Sequence, residues 1–412
     1  MVKFVSWPKV YVVSRNGLLR WVTSESIAVS LYGSDWNQKI HDISDAFFSN
    51  YQFGSDITSA SDYNPANETS VVSTINIDKG FSAPFLYHGV ATHNWSTLFI
   101  TPASGQANAI KSEVDAYEAA VGRTVAWVGF AHEWKTDGRA FPSKVATSIK
   151  NRGATPFIFL NLRSFDVIDK NQPVEPLYTL AAIISGQFDS DLAAWADGAK
   201  NFGSEIIVDW GWEMNGDWAT WNGRHNGGQS EGPRRFGQAY RHIVELMRKR
   251  GATNIRWAFH INYPEYPAET WNNFENYYPG DDVIDLIGVS IYSAQTPTDD
   301  FFPSFESMME PAYTRLNSMA PTKPIYVFEF GATAGNPLGS SVTWADKALS
   351  AIFSGRWPSL RGFAWWNDFW ENDDNPAHDT EMRVEKVSGL DTVFKSRLGA
   401  VSNLGDRPPV FR

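Results

Sequence analysis

Cysteine is absent from this chain of 412 residues. That removes disulfides, thiolate metal sites and a cysteine nucleophile, and leaves the redox compartment undetermined. Histidine is scarce, at 8 residues, and no His-x-x-x-His or His-Glu-x-x-His spacing occurs, so a zinc motif has no support. No metal and no cofactor are expected. No apolar run approaches the roughly 18 residues needed to cross a bilayer. Positive charge is also in deficit: 35 Lys and Arg against 46 Asp and Glu give a net charge of -11. Nucleic acid and anionic membranes demand a basic face, so neither is an expected partner. A neutral polysaccharide is indifferent to such a surface.

Tryptophan is abundant. There are 18 of them, and aromatics make up 15% of the chain. A large ring whose N–H needs a partner is seldom accumulated for packing alone; an excess fits a protein that stacks rings on the flat apolar faces of sugars. The other reading is a Trp-rich core. The remaining composition, 43% hydrophobic and 20% charged, is that of a globular protein with ample material for a core.

Organisation changes along the chain. Val10-Tyr11-Val12-Val13, Arg15-Asn16-Gly17 and Leu18-Leu19-Arg20-Trp21-Val22 read as strand, Asn-Gly turn and strand. Thr23-Ser24-Glu25-Ser26 supplies capping chemistry for a short helix through Leu31. Residues 55–80, rich in Ser, Thr, Asn and Asp, read as linker or loop. Residues 1–80 are thus expected to form a small N-terminal accessory module with its linker, similar to modules of bacterial exported proteins. The export signal itself is not visible in Met1 to Val13, which has no sustained apolar segment.

Beyond residue 81 the pattern becomes alternating strand and helix. Short apolar strands are expected at 97–101, 124–130, 156–161, 205–211, 254–260, 283–291, 324–328 and 361–366, with helices at 109–121, 143–151, 190–201, 233–250, 310–319 and 343–354. Gly122, Gly153 and Gly251 fall where helix C-terminal caps belong. Such alternation means right-handed βαβ units and a parallel sheet, and eight strands are the number that closes a (β/α)8 TIM barrel. The competing open, doubly wound sheet lacks a Gly-x-Gly-x-x-Gly turn after its first strand.

Two of these strands end in a glutamate among apolar and aromatic neighbours: Trp210-Gly211-Trp212-Glu213-Met214 after the fourth and Val327-Phe328-Glu329-Phe330 on the seventh. Barrel enzymes place their reactive groups at the C-terminal ends of strands. A carboxyl surrounded by Trp, Met and Phe is pushed toward its protonated form, which suits a general acid. A pair of carboxyls is what glycoside hydrolysis requires.

The segment Trp212-Glu213-Met214-Asn215-Gly216-Asp217-Trp218-Ala219-Thr220-Trp221 resembles the acid/base segment of glycoside hydrolase family 26, and Glu329-Phe330-Gly331 its nucleophile segment. The likeness extends in layout to residues 95–400 and shows again in residues 117–134. It implies a retaining glycosidase with Glu213 as acid/base and Glu329 as nucleophile, and with Tyr292, at the end of the sixth strand, hydrogen-bonded to the nucleophile. One departure concerns the residue before the acid/base, His in most members and Trp212 here. It weighs against β-mannan, the best-known substrate of the family. The chain also looks like metagenome-type bifunctional β-1,4-glucanase/xylanases.

Other strand-end residues are candidates for binding sugar: Asn215, Trp218 and Trp221 beside Glu213, His260 after strand five, Trp366 and Trp370 at strand eight, Trp134 after strand two and Arg163 after strand three. Each has a structural alternative as a core or strand-end group. The acidic run Glu371-Asn372-Asp373-Asp374-Asn375 reads as a solvated loop before a calcium site. The expectation is a secreted, extracellular, monomeric endo-β-glycanase, a hydrolase acting on plant-type polysaccharide, β-1,4-glucan or xylan, by double displacement. A β-mannanase on the same scaffold and a non-catalytic carbohydrate-binding barrel remain the alternatives.

Overall fold

The computed structural model describes residues 1–43, 45, 51–71, 86–92, 103–135, 138–164, 175–401 and 404–405. The chain divides into two compact units, Met1–Ala83 with Ser354–Pro358, and Pro84–Phe353 with Ser359–Arg412.

The first unit carries a five-stranded sheet, β4-β1-β2-β3-β5, built from β1 (Val2–Phe4), β2 (Val10–Ser14), β3 (Leu18–Trp21), β4 (His41–Ile43) and β5 (Gln52–Phe53). The expected hairpin is β2 and β3, with Tyr11 opposite Trp21 and Ser14 opposite Leu18. Helix α1 (Glu25–Tyr32) starts at Ser24, whose hydroxyl accepts from the Ile27 amide. Part of the stretch read as linker is structured instead. Ile57 and Tyr63 are buried with Val12, Val22 and Ala28, and α2 runs Pro65–Val71. Polar residues do the local work there: the Asp62 carboxylate accepts from the amides of Thr58 and Ser59. Such Ser- and Asp-rich caps look like loop in a sequence.

The second unit is a closed barrel of eight parallel strands. These are β6 (Leu86–Thr92), β7 (Trp127–Glu133), β8 (Thr155–Asn161), β9 (Ile206–Asp209), β10 (Ile255–Asn262), β11 (Leu286–Tyr292), β12 (Ile325–Gly331) and β13 (Leu360–Asn367). Each pairs in parallel with the next, and β13 pairs with β6 to close the ring. Around it lie α3 (Ala103–Val121), α4 (Ser143–Asn151), α5 (Leu180–Ile184), α6 (Asp189–Phe202), α7 (Gly228–Lys249), α8 (Phe305–Met319), α9 (Ser341–Phe353) and α10 (Leu390–Gly399). The strand expected at 97–101 lies outside the described residues; the first barrel strand is β6. Tyr87, His88 and Gly89 interrupt its apolar pattern, which hides it. Strand two is displaced from 124–130 to Trp127–Glu133, and strand four ends at Asp209.

Aromatic rings fill the barrel interior. Trp127, Phe157, Phe159, Tyr326 and Phe328 are buried together, with Phe328 stacked on Tyr326 at 5.5 Å. Facing strands give way with glycine: a Cβ on Gly89 would lie 2.0 Å from the Trp127 ring, and one on Gly288 1.7 Å from Phe328. Gly288→Ala should therefore lower the melting temperature clearly, since overpacking a filled core costs about 1–3 kcal/mol. Thermal unfolding by circular dichroism measures this, and an unchanged midpoint would contradict the packing described.

Candidate active site

A backbone irregularity aims Glu329 inward. Along β12, Tyr326 and Phe328 point into the barrel, so strict alternation would send Glu329 outward. The register slips instead: Val289 pairs Val327 but Ser290 pairs Glu329, and on the other side Val327 pairs Phe363 while Phe330 pairs Trp365. One extra residue is thus inserted in β12, a bulge that turns Glu329 to the same side as Phe328. Phe330 returns to the outer face, against Trp365 at 5.1 Å.

Glu213 is aimed by a loop. After β9, Trp210 stacks on Phe236 at 5.3 Å, and Gly211 turns the chain at φ 77°. Its missing Cβ leaves room for the Phe236 ring, 2.5 Å away. Glu213 itself has φ 49°, and among the described residues it alone combines a side chain with that left-handed conformation. Its amide donates to the His260 carbonyl at 2.8 Å, which holds the strained residue in place. Strain of this kind costs on the order of 1–3 kcal/mol and concentrates at working sites. Asn215 completes the anchor: its side chain donates to the Asn262 carbonyl at 2.7 Å and accepts from the Asn262 amide at 2.9 Å.

The two glutamates meet. Glu213, His260 and Glu329 each place one polar atom within 4.8 Å of the others. The Tyr292 hydroxyl donates to Glu329 Oε2 at 2.8 Å, and Trp218 Nε1 donates to Glu213 Oε2 at 2.8 Å. Burial first, and the charge of Glu213 second, push the Glu329 carboxyl up to about 8, against His260 and the Tyr292 hydroxyl, which pull it down. Two carboxyls this close and this buried share a proton near neutral pH, and that proton belongs to the pair.

Two open cavities flank the pair. One, about 340 Å³, is lined by Trp212, Tyr292, Gln295, Trp366, Asp368 and Trp370 besides both glutamates. The other, about 470 Å³, lies on the Glu213 side, with Trp218, Tyr263, Pro264 and Phe301 in its wall. Trp218 is 40% exposed and stacks on Tyr266 at 6.2 Å. Its ring lies over the loop backbone at Gly216, where a Cβ would be 2.3 Å from the ring.

Of the residues named from sequence, Glu213, Glu329, Tyr292, Trp218, Trp366 and Trp370 line these cavities. Five others lie beneath them. Asn215 is the loop anchor just described, and its side chain is spent on Asn262. Trp221 is buried under Trp212, donating to the Trp212 carbonyl at 2.7 Å. Trp134 is buried against Tyr178 and Phe188. Arg163 is buried in an ion pair with Glu133 at 2.7 Å. His260 is fully enclosed between Asp209 and Ser290. Strand-end position alone did not separate cleft wall from support, because one residue of register reverses the direction of a side chain. Gln295, Asp368, Tyr263 and Phe301 carry no motif and were missed. The run 371–375 is organised by Asp373, which pairs with His378 at 2.7 Å.

Trp212 is held from several sides. Its Nε1 donates to Asn161 Oδ1 at 2.8 Å, and Asn161 in turn donates to Glu133 at 2.6 Å. The Arg163 guanidinium stands over the indole at 5.6 Å, and Trp221 meets it edge-on at 5.3 Å. With its N–H spent, Trp212 offers the cleft only an apolar face.

With this geometry in place, similarity to known proteins falls where the glutamates are. Residues 171–327 match the family model of glycosyl hydrolase family 26. The chain is a relative of glycosyl hydrolase family 26. The matched stretch includes Glu213 and Tyr292 and stops two residues short of Glu329. Endoglucanase H of Acetivibrio thermocellus is 25% identical over 299 residues, which is 71% of this chain and 29% of that protein. A β-1,3-xylanase of a Vibrio species is 27% identical over 118 residues, 27% of this chain and 22% of its own length. The chain thus spans under a third of the curated relatives it matches. Among solved structures, the catalytic domain of the family 26 endo-β-1,4-mannanase of Bacillus sp. JAMB-750 superposes with TM-score 0.53 at 16% identity, over 76% of this chain and 86% of that one. A Bacillus subtilis mannanase superposes with TM-score 0.51 at 17% identity, over 76% and 86%. Both share the barrel fold.

The raised affinity of Glu329 for its proton has a consequence for stability. From an ordinary value of 4.5 it rises to about 8 in the fold, so the folded state holds a proton that the unfolded chain has lost. Its stabilising contribution is complete below about pH 4.5 and disappears as pH climbs toward 8. Glu329→Gln should gain melting temperature over the parent at pH 8 and gain much less at pH 4.5. Calorimetry at the two values decides, and an equal gain at both would contradict the shift.

Proposed function

We propose that the chain is an endo-acting, retaining glycoside hydrolase that cleaves β-1,4-linked glucan or xylan by double displacement. The observation that carries this reading is the spacing of the two carboxyls. Oxygens of Glu213 and Glu329 lie within 4.8 Å of each other, close to the ~5–5.5 Å of retaining enzymes and short of the ~6.5–9.5 Å that an inverting enzyme keeps for a water. Glu329, aligned by the Tyr292 hydroxyl, attacks the anomeric carbon, and the C–O bond to the leaving sugar breaks. Glu213 gives its proton to the departing oxygen. In the second half Glu213 takes a proton from water, the resulting oxygen attacks the anomeric carbon, and Glu329 leaves as a carboxylate.

Trp218 supports the assignment of Glu213 as the acid. An indole N–H only donates, so Oε2 of Glu213 is an acceptor and Oε1 is left to carry the proton. Cavities on both sides of the pair leave room for chain in both directions, which favours internal cleavage. Substrate preference rests on Trp212, Trp366 and Trp370. Their flat faces suit the C–H faces of all-equatorial glucose and xylose rings, whereas mannose carries an axial hydroxyl at C2. The curated relatives, an endoglucanase and a xylanase by name, agree with this. We assign residues 1–80 an accessory role beside a catalytic domain at 81–412, acting as a monomer outside the cell on plant-type polysaccharide.

The test is reducing-sugar release from barley β-glucan, carboxymethylcellulose, xylan and glucomannan by the parent, Glu213→Ala and Glu329→Ala. Release from glucan or xylan, falling by at least about 10³-fold in either variant, is expected, since the reacting pair acts as a unit. Release from glucomannan alone would replace the substrate assignment with β-mannan. Undiminished binding with no release by the parent would mean a carbohydrate-binding barrel. Trp218→Phe keeps the platform and removes the donor to Glu213; kcat should fall about ten-fold with KM little changed, as expected for one hydrogen bond to a charged group.

A further inference from the structure

Beneath the two glutamates runs a buried chain of three polar groups that the reaction scheme has not used. Asp209 Oδ2, at the end of β9, meets His260 Nδ1 at 2.7 Å, and His260 Nε2 meets Ser290 Oγ at 2.8 Å. All three side chains are fully enclosed. Phe328 packs edge-on against the imidazole at 5.2 Å, and Phe159 lies 6.4 Å away. Ring orientation is therefore fixed on every side. Charged groups reach His260 from three places: Asp209 from β9, Glu213 from the loop after it, and Glu329 from β12. The neighbour from β11 is the neutral Ser290, and Phe159 comes from β8.

We propose that His260 is a positioning residue that carries a fixed positive charge under the reacting pair, with Asp209 and Ser290 holding its ring. This rests on the reading of Glu213 and Glu329 as that pair. In the first half of the reaction negative charge leaves Glu329, as its bond to carbon forms, and appears on Glu213, which gives up its proton; the second half reverses this. One nitrogen of His260 lies within 4.8 Å of an oxygen of each, so a single unmoving cation favours the anion at both ends of its path. Such preorganised charge needs no rearrangement at the moment of reaction.

The local chemistry agrees. An imidazolium donates from both nitrogens, matching a carboxylate on one side and a hydroxyl oxygen on the other. Burial depresses the proton affinity of His260, but Asp209, then Glu329 and Glu213, outweigh it, and the group ends above its usual value. Asp209 is raised by its own burial and pulled back by His260. Between a neutral and a charged pair, the charged one is favoured by the two further carboxyls that face the imidazole. Asp209 Oδ1 meets no protein donor, so His260 is the main compensation for the charge of Asp209.

The first test needs no variant and no activity. Nitrogen-15 NMR of the full chain labelled at histidine should show one imidazole with both nitrogens protonated from pH 6 to 8, assigned by its displacement in Ser290→Ala. A resonance of neutral imidazole across that range overturns the proposal. The second test is the pH profile of glycan hydrolysis. Removing a cation beside the pair raises its proton affinity, so His260→Gln should move both limbs of kcat/KM up by about one unit. KM should change little and kcat should fall. Asp209→Asn should abolish the imidazolium signal and move the limbs the same way. Limbs that stay in place in a folded His260→Gln protein contradict the role. Hydrolysis with a neutral imidazole would sink this proposal and leave the glycosidase reading standing; an imidazolium without hydrolysis would do the reverse.

Discussion

Two carboxyl groups buried within 4.8 Å of each other are the constraint around which this barrel is arranged. Neither is tolerable alone in an apolar surrounding as an unpaired charge, and both cannot be charged together at that distance without compensation. The solution on display combines a shared proton, one committed donor for each carboxyl, and an imidazole below. Tyr292 serves Glu329 and Trp218 serves Glu213. What would be a liability in a structural core is the arrangement that acid and nucleophile chemistry requires.

The rest of the fold can be read as support for that pair. The aromatic filling of the barrel gives the site a rigid floor, and Phe328 belongs both to that filling and to the wall around His260. Its neighbour Glu329 reaches the same side only because β12 carries an extra residue. On the opposite wall, Gly211 and the left-handed Glu213 make a turn that regular strand could not. A second buried network, Glu133 with Arg163 and Asn161, extends to the indole N–H of Trp212 and fixes the plane of that ring. Strain and buried charge are thus confined to a few residues whose neighbours are fully packed.

The fold class and the reacting residues were legible because they depend on patterns of short range. Alternating strand and helix specified the barrel, and a glutamate set among Trp, Met and Phe at a strand end is rare enough to stand out. What sequence could not supply was register. Trp365 and Trp366 are adjacent, yet Trp366 lines the cleft while Trp365 is buried against Phe330 and Phe394. Trp134, Trp221 and Arg163 sit at the right ends of strands and loops but serve as supports. The first barrel strand escaped notice because it trades apolar bulk for Gly89, whose value lies in the Trp127 ring across from it. Residues such as Gln295 and Asp368 enter the cleft from loops, where no periodicity announces them.

The claim on which the account turns is that Glu213 and Glu329 act as acid/base and nucleophile across a distance too short for an inverting water. Proton NMR of the anomeric signals during the first minutes of hydrolysis of a soluble β-1,4-gluco-oligosaccharide or xylo-oligosaccharide tests it most directly. The account predicts that the β anomer appears first and the α anomer only later, by mutarotation. Immediate appearance of the α anomer would mean a single displacement, and the pairing described here would be wrong.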